Sequence, residues 1–169
     1  MREKKDVMIH GDYAAFWGSI FSNWAPSRFR AYGKVWETAE QCFMWLKAKY
    51  FKDEDIAMKI TKATNPSDAK KLGRMVKGFD QEKWDAVCYE KMYEAVYKKF
   101  DQNEDLLKEL LSENYKGKHF VEGSPQDRIW GVGIIWTDEA IADKNNWQGT
   151  NYLGRVLDDV REAFLKELA

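Results

Sequence analysis

Apolar positions between residues 36 and 51 recur with a helical period. Ala39, Phe43, Leu46 and Tyr50 share one face. Thr38 and Gln41 stand at capping-box spacing, which predicts Thr38 as N-cap and a Gln41 side chain reaching back to the Thr38 N–H. The helix is expected to run to about Phe51. Glu40 falls in its first turn, where exposed N–H groups and the helix dipole favour an anion. Lys47 lies two turns on, on nearly the same face. An acid and a base therefore point together from a helix whose other face is apolar. An acid in a first turn is also ordinary helix design.

Ahead of this helix, residues 7–35 read as non-helical. Val7-Met8-Ile9 suggests a short strand, and Phe16 to Pro26 an aromatic loop closed by a proline. Phe29 with Tyr32-Gly33-Lys34-Val35-Trp36 suggests a small hairpin turning at Gly33. Most aromatics of the loop read as core cover. Ser22 and Asn23, between large rings, offer compact donors and acceptors beside flat apolar surface, as a base or ribose site requires.

Further on, Asp53 caps a second helix with Ile56 and Ile60 inward. Asn65-Pro66-Ser67 breaks the chain, and Ser67 is expected to cap a short helix stopped by Gly73 as its C′ residue. Lys70, Lys71, Arg74 and Lys77 place four cations in eight residues. Such a run is usually a solvated face; within it, Arg74 has the fork that suits a phosphate. Asp80 opens a long helix carrying Trp84, Cys88, Met92, Ala95, Val96 and Lys99 inward. Trp84, in its first turn, reads either as core or as a stacking surface.

Another helix starts at Asn103, and His119–Glu122 reads as a strand. No regular period fits the next eleven residues, Gly123 to Gly133, which combine glycines, a proline, Asp127, Arg128 and Trp130. Loops of that makeup often carry chemistry, while Asp127 equally suits a turn cap or a pair with Arg128. A polar connection from Trp136 to Asn146 leads to the last helix, with Asn151 as N-cap. Its stripe Leu153, Leu157, Val160, Phe164, Leu168 is core, and Gly154 admits a close approach by another helix or by a ligand.

A chain of 169 residues is expected to form one domain over residues 1–169, with residues 1–10 as a peripheral N-terminal extension. Its net charge of −1 implies no general attraction to duplex DNA or to an acidic membrane. Eight Trp exceed what a core of this size needs, so some are expected to line a cleft. Cys42 and Cys88 read as reduced core thiols. The charged N-terminus leads into no apolar run of signal length, and no stretch is long and apolar enough to span a bilayer, so the expected location is the cytoplasm. His10 and His119 lie far apart in sequence, and the two cysteines are scattered, so no metal site is expected. There is no Walker loop, dinucleotide fingerprint or nucleophile elbow, and no cofactor is called for.

Taken in order, the segments Phe21-Ser22-Asn23-Trp24, Gly33-Lys34-Val35-Trp36, Thr38-Ala39-Glu40-Gln41, Phe43 with Lys47, Leu72-Gly73-Arg74, Trp84, Lys99-Phe100, Glu122, Asp127, Trp130-Gly131-Val132-Gly133 and Asn151-Tyr152-Leu153-Gly154 resemble the YbiA-like, or NADAR, family. The resemblance covers nearly everything from residue 16 onward. It implies a compact, predominantly helical α+β domain with short strands or a small hairpin. It also implies N-glycosidase chemistry on a ribosylated base. Two substrate classes go with it: phosphoribosylamino-pyrimidine intermediates of riboflavin synthesis, and ADP-ribose attached to guanine, free or within a nucleic acid. By position, Glu40, Trp84, Asp127 and Trp130 match the family's pocket. The family usually has His where this chain has Gln41, and Gln cannot carry a proton near neutral pH.

Cleaving a C1′–N bond builds positive charge on the ribose and negative charge on the departing base, so the expected machinery is a carboxylate and a proton donor. Glu40 is expected to activate water or stabilise the ribose. Asp127 is expected to orient a ribose hydroxyl or assist proton transfer, and these two roles are exchangeable. Trp84 and Trp130 would stack on base or ribose, Lys47 and Arg74 would meet phosphate, and Ser22, Asn23 and Asn151 would complete the substrate contacts. Lys47 has a second option, Schiff-base capture of an opened ribose, which needs a depressed pKa. Two other classes stay open: a catalytically weak ADP-ribose or nucleotide sensor, and a helical interaction protein whose aromatics are all core.

Overall fold

The computed structural model describes residues 7–169. The fold is α+β and predominantly helical, in the order β1(Val7–His10), β2(Tyr13–Phe16), β3(Phe29–Ala31), β4(Lys34–Trp36), α1(Ala39–Tyr50), α2(Glu54–Thr61), α3(Pro66–Gly73), α4(Gln81–Asp101), α5(Glu104–Leu110), β5(His119–Glu122) and α6(Tyr152–Glu167). The extension expected at residues 1–10 lies outside the described residues as far as residue 6, and residues 7–10 are strand β1. The chain gathers into two compact units, residues 23–104 and residues 7–22 with 105–169.

The unit of residues 23–104 is built on α1. The hairpin β3–β4 turns at Tyr32-Gly33, both with positive φ (56° and 71°), the turn whose twist suits a two-residue hairpin. Thr38 caps α1 as predicted, its hydroxyl accepting from the Gln41 N–H at 3.1 Å. The return bond differs by one residue, because Gln41 Oε1 accepts from the Glu37 N–H at 2.9 Å, not from Thr38. The amphipathic reading of α1 is also corrected. Every residue from Ala39 to Leu46 is buried, while Tyr50, assigned to the apolar face, is 38% exposed. The reason is that α2, α3 and α4 all pack on α1.

Helix α3 starts earlier than expected. Asn65, not Ser67, is its N-cap, with Oδ1 accepting from the Asp68 N–H, and Pro66 takes the first helical position, where its missing N–H costs nothing. Gly73 is its last helical residue, not a left-handed stop. The Met44 side chain of α1 packs into the space that a Cβ at Gly73 would take, so a larger residue there would have to displace that flexible side chain. In α4 the predicted inward residues Trp84, Cys88, Met92, Ala95, Val96 and Lys99 are all buried.

In the other unit, β1 pairs antiparallel with β2, and β2 pairs parallel with β5. Helix α6 packs on β5 through Leu153, Val156, Leu157, Val160 and Phe164. Leu168, placed in that stripe from its spacing, is 72% exposed, because the helix ends at Glu167. Gly154 is approached by the Phe120 carbonyl of β5, not by a helix or a ligand. Among the described residues no helix is long and apolar enough to cross a membrane.

Two predictions follow from this packing. A Cβ at Gly154 would overlap the Phe120 carbonyl and the Asn151 amide, so Gly154→Ala should cost about 1–3 kcal/mol, read as a lowered melting temperature. Lys99 is 1% exposed, and burial pulls its pKa down to about 7. Below that pH the folded chain buries an ammonium. As pH rises from there toward the ordinary lysine value, the unfolded state holds the proton and the folded state does not, so the penalty fades. Relative to Lys99→Met, the wild type should gain roughly 2 kcal/mol between pH 6 and 9 in urea unfolding; an unchanged difference would show that Lys99 keeps an ordinary pKa.

Candidate active site

In the unit of residues 23–104, the first turn of α1 fixes the candidate carboxylate. The Glu40 N–H donates to the Asn23 carbonyl at 3.0 Å, and Glu40 is buried, 8% exposed. Seven residues on, half-buried Lys47 is drawn below its ordinary pKa. The main cause is burial; the Glu40 carboxylate opposes the fall, and the Arg74 guanidinium adds to it. One acid and two cations thus share one electrostatic environment, as the spacing of Glu40 and Lys47 suggested. Arg74 joins them because α3 packs on α1 and its C-cap is Arg74. The Lys47 ammonium also stands 4.5 Å from the centroid of the Phe79 ring, which is 41% exposed. Phe79 was not singled out from sequence, since no local period links it to Lys47.

Asn23 is buried as well. Its Nδ2 donates to Met92 Sδ at 3.2 Å, and its Oδ1 is buried without a hydrogen-bond partner. Trp84 is 7% exposed, with Phe43, Tyr50 and Phe51 around it at ring separations of 5.3, 6.2 and 6.1 Å. It forms part of an aromatic wall. Gln41, where the resemblance leads one to expect His, has both ends of its amide engaged: Oε1 takes the Glu37 N–H, and Nε2 donates to the Ile60 carbonyl at 3.0 Å and the Ala63 carbonyl at 3.4 Å.

The other unit holds Ser22, Asp127, Trp130 and Asn151. The loop of residues 123–133 has no regular structure, as its composition predicted, yet its backbone is held. Gly131 and Ile129 carbonyls accept from the N–H groups of Asn151 and Tyr152, and the Trp130 carbonyl accepts from Leu153. These bonds satisfy the open N-terminus of α6. Gly149 permits the approach, since a Cβ there would meet the Gly131 carbonyl. Asp127 Oδ1 accepts from the Ile129 and Trp130 N–H groups at 2.9 and 2.8 Å, so one carboxylate oxygen forms the turn. The half-buried Trp130 ring meets Tyr152 edge-on at 5.8 Å. The N-cap bond expected of Asn151 is absent: its backbone is left-handed (φ 53°), and its side chain instead bonds β5, Oδ1 accepting from the Glu122 N–H and Nδ2 donating to the Phe120 carbonyl, both at 3.0 Å. Ser22 is half-buried, and its N–H donates to the Ser19 carbonyl. Among the described residues no three His, Cys, Asp or Glu side chains are grouped to hold a metal ion.

The NADAR domain model matches residues 14–165. The chain is 40% identical over 159 residues to the protein irg-1 of Caenorhabditis elegans, across 85% of this chain and 74% of that one. It is 37% identical over 168 residues to an N-glycosidase of Acanthamoeba polyphaga mimivirus, across 96% and 98% of the two chains. It is 30% identical over 142 residues to the N-glycosidase YbiA of Escherichia coli, across 84% and 79%. The NMR structure of Escherichia coli YbiA matches with a TM-score of 0.75 at 26% identity, over 97% of this chain and 91% of that one.

The shared field of Glu40 and Lys47 is testable without a substrate. Glu40→Gln removes the charge that holds the Lys47 proton, so the Lys47 pKa should fall further. Amine labelling across pH 7–11, read by mass spectrometry, should show the Lys47 midpoint below that of exposed lysines in the wild type and lower again in the variant. An unchanged midpoint would separate the two groups.

Proposed function

The chain belongs to the NADAR domain family, and we propose that this N-glycosidase hydrolyses the C1′–N bond between a phosphorylated ribose and a base, as in guanine-linked ADP-ribose or a phosphoribosylamino-pyrimidine. The family match spans both units, and the proposal takes residues 1–169 as one functional domain working in the cytoplasm. The observation that carries it is the buried Glu40 carboxylate in one electrostatic environment with Lys47 and Arg74.

In the proposed reaction the C1′–N bond breaks heterolytically, the base departs with the bonding pair, and water adds to C1′. Glu40 stabilises the cationic ribose or takes the proton of the attacking water, and a proton passes to the leaving base. Lys47 and Arg74 bind phosphate oxygens; the planar fork of Arg74 gives direction, and Lys47 gives a point charge. Asp127 has Oδ1 in its turn, and the role proposed for its second oxygen is to orient a ribose hydroxyl or assist the proton transfer. The proposed contacts of Ser22, Asn23, Trp84, Trp130 and Asn151 are with ribose or base; Asn151 would act through its grip on β5, since both ends of its amide are engaged there. A second route has the Lys47 amine add to the C1′ aldehyde of the opened ribose and release water to form a Schiff base, a role that goes with its lowered pKa.

Gln41 supports one competing reading, a nucleotide sensor with weak turnover. Its fully bonded amide braces the backbone and neither takes up nor releases a proton near neutral pH.

Wild type and Glu40→Gln should be incubated with guanine-linked ADP-ribose and with the phosphoribosylamino-pyrimidine, and released base followed by mass spectrometry. Release from one substrate, reduced at least 100-fold by Glu40→Gln, is the expected outcome. Tight ADP-ribose binding without release would favour the sensor, and equal release by both proteins would remove Glu40 from the chemistry.

A further inference from the structure

Seven residues, Arg74 to Asp80, join α3 to α4 within residues 23–104. Both ends are helix caps: Arg74 closes α3, and Asp80 opens α4 with Oδ1 accepting from the Lys83 N–H at 3.1 Å. Between them the chain is held. The Met75 N–H donates to the Leu72 carbonyl at 2.9 Å, and Val76 is buried. The Lys77 N–H donates to Asp53 Oδ2 at 2.8 Å, and the other oxygen of that carboxylate accepts from the Ile56 N–H at the start of α2. Gly78 then turns the backbone with φ 76°, a conformation that glycine adopts at no steric cost. Phe79 emerges from this frame with its ring against Phe51, edge to face with centroids 5.3 Å apart. The Lys47 ammonium stands over the same ring, 4.5 Å from its centroid.

Burial does not explain this ring. Phe79 is 41% exposed, whereas Phe29 and Phe100 of the same unit are buried. Nor is the contact a loose surface pair. Lys49 over Trp45, Lys98 over Tyr32 and Lys70 over Trp24 stand farther off, at 5.7, 5.7 and 5.9 Å, near the limit of about 6 Å for such attraction. An aromatic face attracts an ammonium through its quadrupole, and it attracts only the charged form. The contact therefore acts on Lys47 in two ways. It confines the end of a long, flexible side chain, and it favours the protonated amine. Burial works against protonation, as does the Arg74 guanidinium, while the Glu40 carboxylate works with the ring. The segment that carries the ring also begins with Arg74. One braced segment thus fixes Arg74 through its backbone and Lys47 through the Phe79 ring.

We propose that Phe79 is a positioning residue of the candidate site: its ring holds the Lys47 ammonium, charged and in place, for the anionic group of the substrate. This rests on the proposed N-glycosidase reading for the identity of that group as a ribose phosphate. Phe79 acts through Lys47 and does not touch the bond that breaks. Its loss is therefore felt in the proton affinity of Lys47 and in the binding of phosphate. A ring that merely covered the Lys47 stem would act differently. Any apolar side chain of similar bulk would replace it, and the Lys47 midpoint would stay where it is.

The test compares wild type with Phe79→Leu and Phe79→Met, which keep apolar bulk without a ring, and with Phe79→Tyr, which keeps the ring. Each is checked for an unchanged circular dichroism spectrum. The Lys47 midpoint is read by amine labelling across pH 7–11, and ribose 5-phosphate is titrated calorimetrically at pH 7. The ring is worth roughly two- to fivefold in the protonation equilibrium of an ammonium, so Phe79→Leu and Phe79→Met should lower the Lys47 midpoint by about half a pH unit. Both should weaken ribose 5-phosphate about twofold or more, and Phe79→Tyr should restore the wild-type midpoint and affinity. In a Lys47→Met background, Phe79→Leu should change the affinity no further, because its effect passes through the lysine. A midpoint indifferent to loss of the ring would overturn the proposal. So would a ribose 5-phosphate affinity that ignores Phe79→Leu, a loss that persists in the Lys47→Met background, or no binding by wild type. A missing product in the base-release assay, with the midpoint and ribose 5-phosphate results as expected, would instead overturn the reaction and leave the role of Phe79 standing.

Discussion

A helix segment buried on every side gives its polar side chains no solvent to retreat to, and Ala39 to Leu46 of α1 form such a segment. Its first turn is held twice, by the Thr38 hydroxyl and by the Asn23 carbonyl that receives the Glu40 N–H. Burial then sorts its polar residues. Gln41 is neutral, and every part of its amide is bonded to backbone. Glu40 and Lys47 are ionisable, and their partnership moderates what burial does to the lysine. A buried charge without compensation is costly, so the acid, Lys47 and Arg74 form an energetic unit whatever ligand they meet.

The unit of residues 7–22 and 105–169 follows a different rule. Its candidate loop is irregular, and backbone bonds to the start of α6 hold it where side chains alone would not. Gly149 allows that approach, since the Gly131 carbonyl stands where its Cβ would sit, and Gly154 likewise admits the Phe120 carbonyl of β5 against α6. Asp127 and Asn151 are polar residues in such a frame, and both bond backbone groups. Substitutions at either should therefore be read with a stability measurement beside the activity measurement, because loss of a buried hydrogen-bonding partner costs free energy by itself.

For the proposed chemistry, the arrangement along α1 divides labour. In the proposed reaction the carboxylate serves the bond that breaks and the cations serve the phosphate. Trp84 is buried in the aromatic wall with Phe43 and Phe51. Fixed groups need no reorganisation as charge develops, which is where electrostatic stabilisation is most effective.

Local signals in the sequence determined the helices, the hairpin, the caps at Thr38, Asp53 and Asp80, the irregular loop around Asp127, and the pairing of Glu40 with Lys47 on one face. Each depends on residues within two turns of each other, so spacing suffices. The motifs taken in order also determined the family. The tertiary structure alone decided that α1 is buried all round from Ala39 to Leu46, that Asn151 serves β5 instead of its own helix, that Gly73 and Gly154 are close-approach glycines, and that Phe79 and Trp24 stand beside Lys47 and Lys70. Those outcomes depend on which surfaces meet across tens of residues, and packing between distant segments leaves no period in the chain.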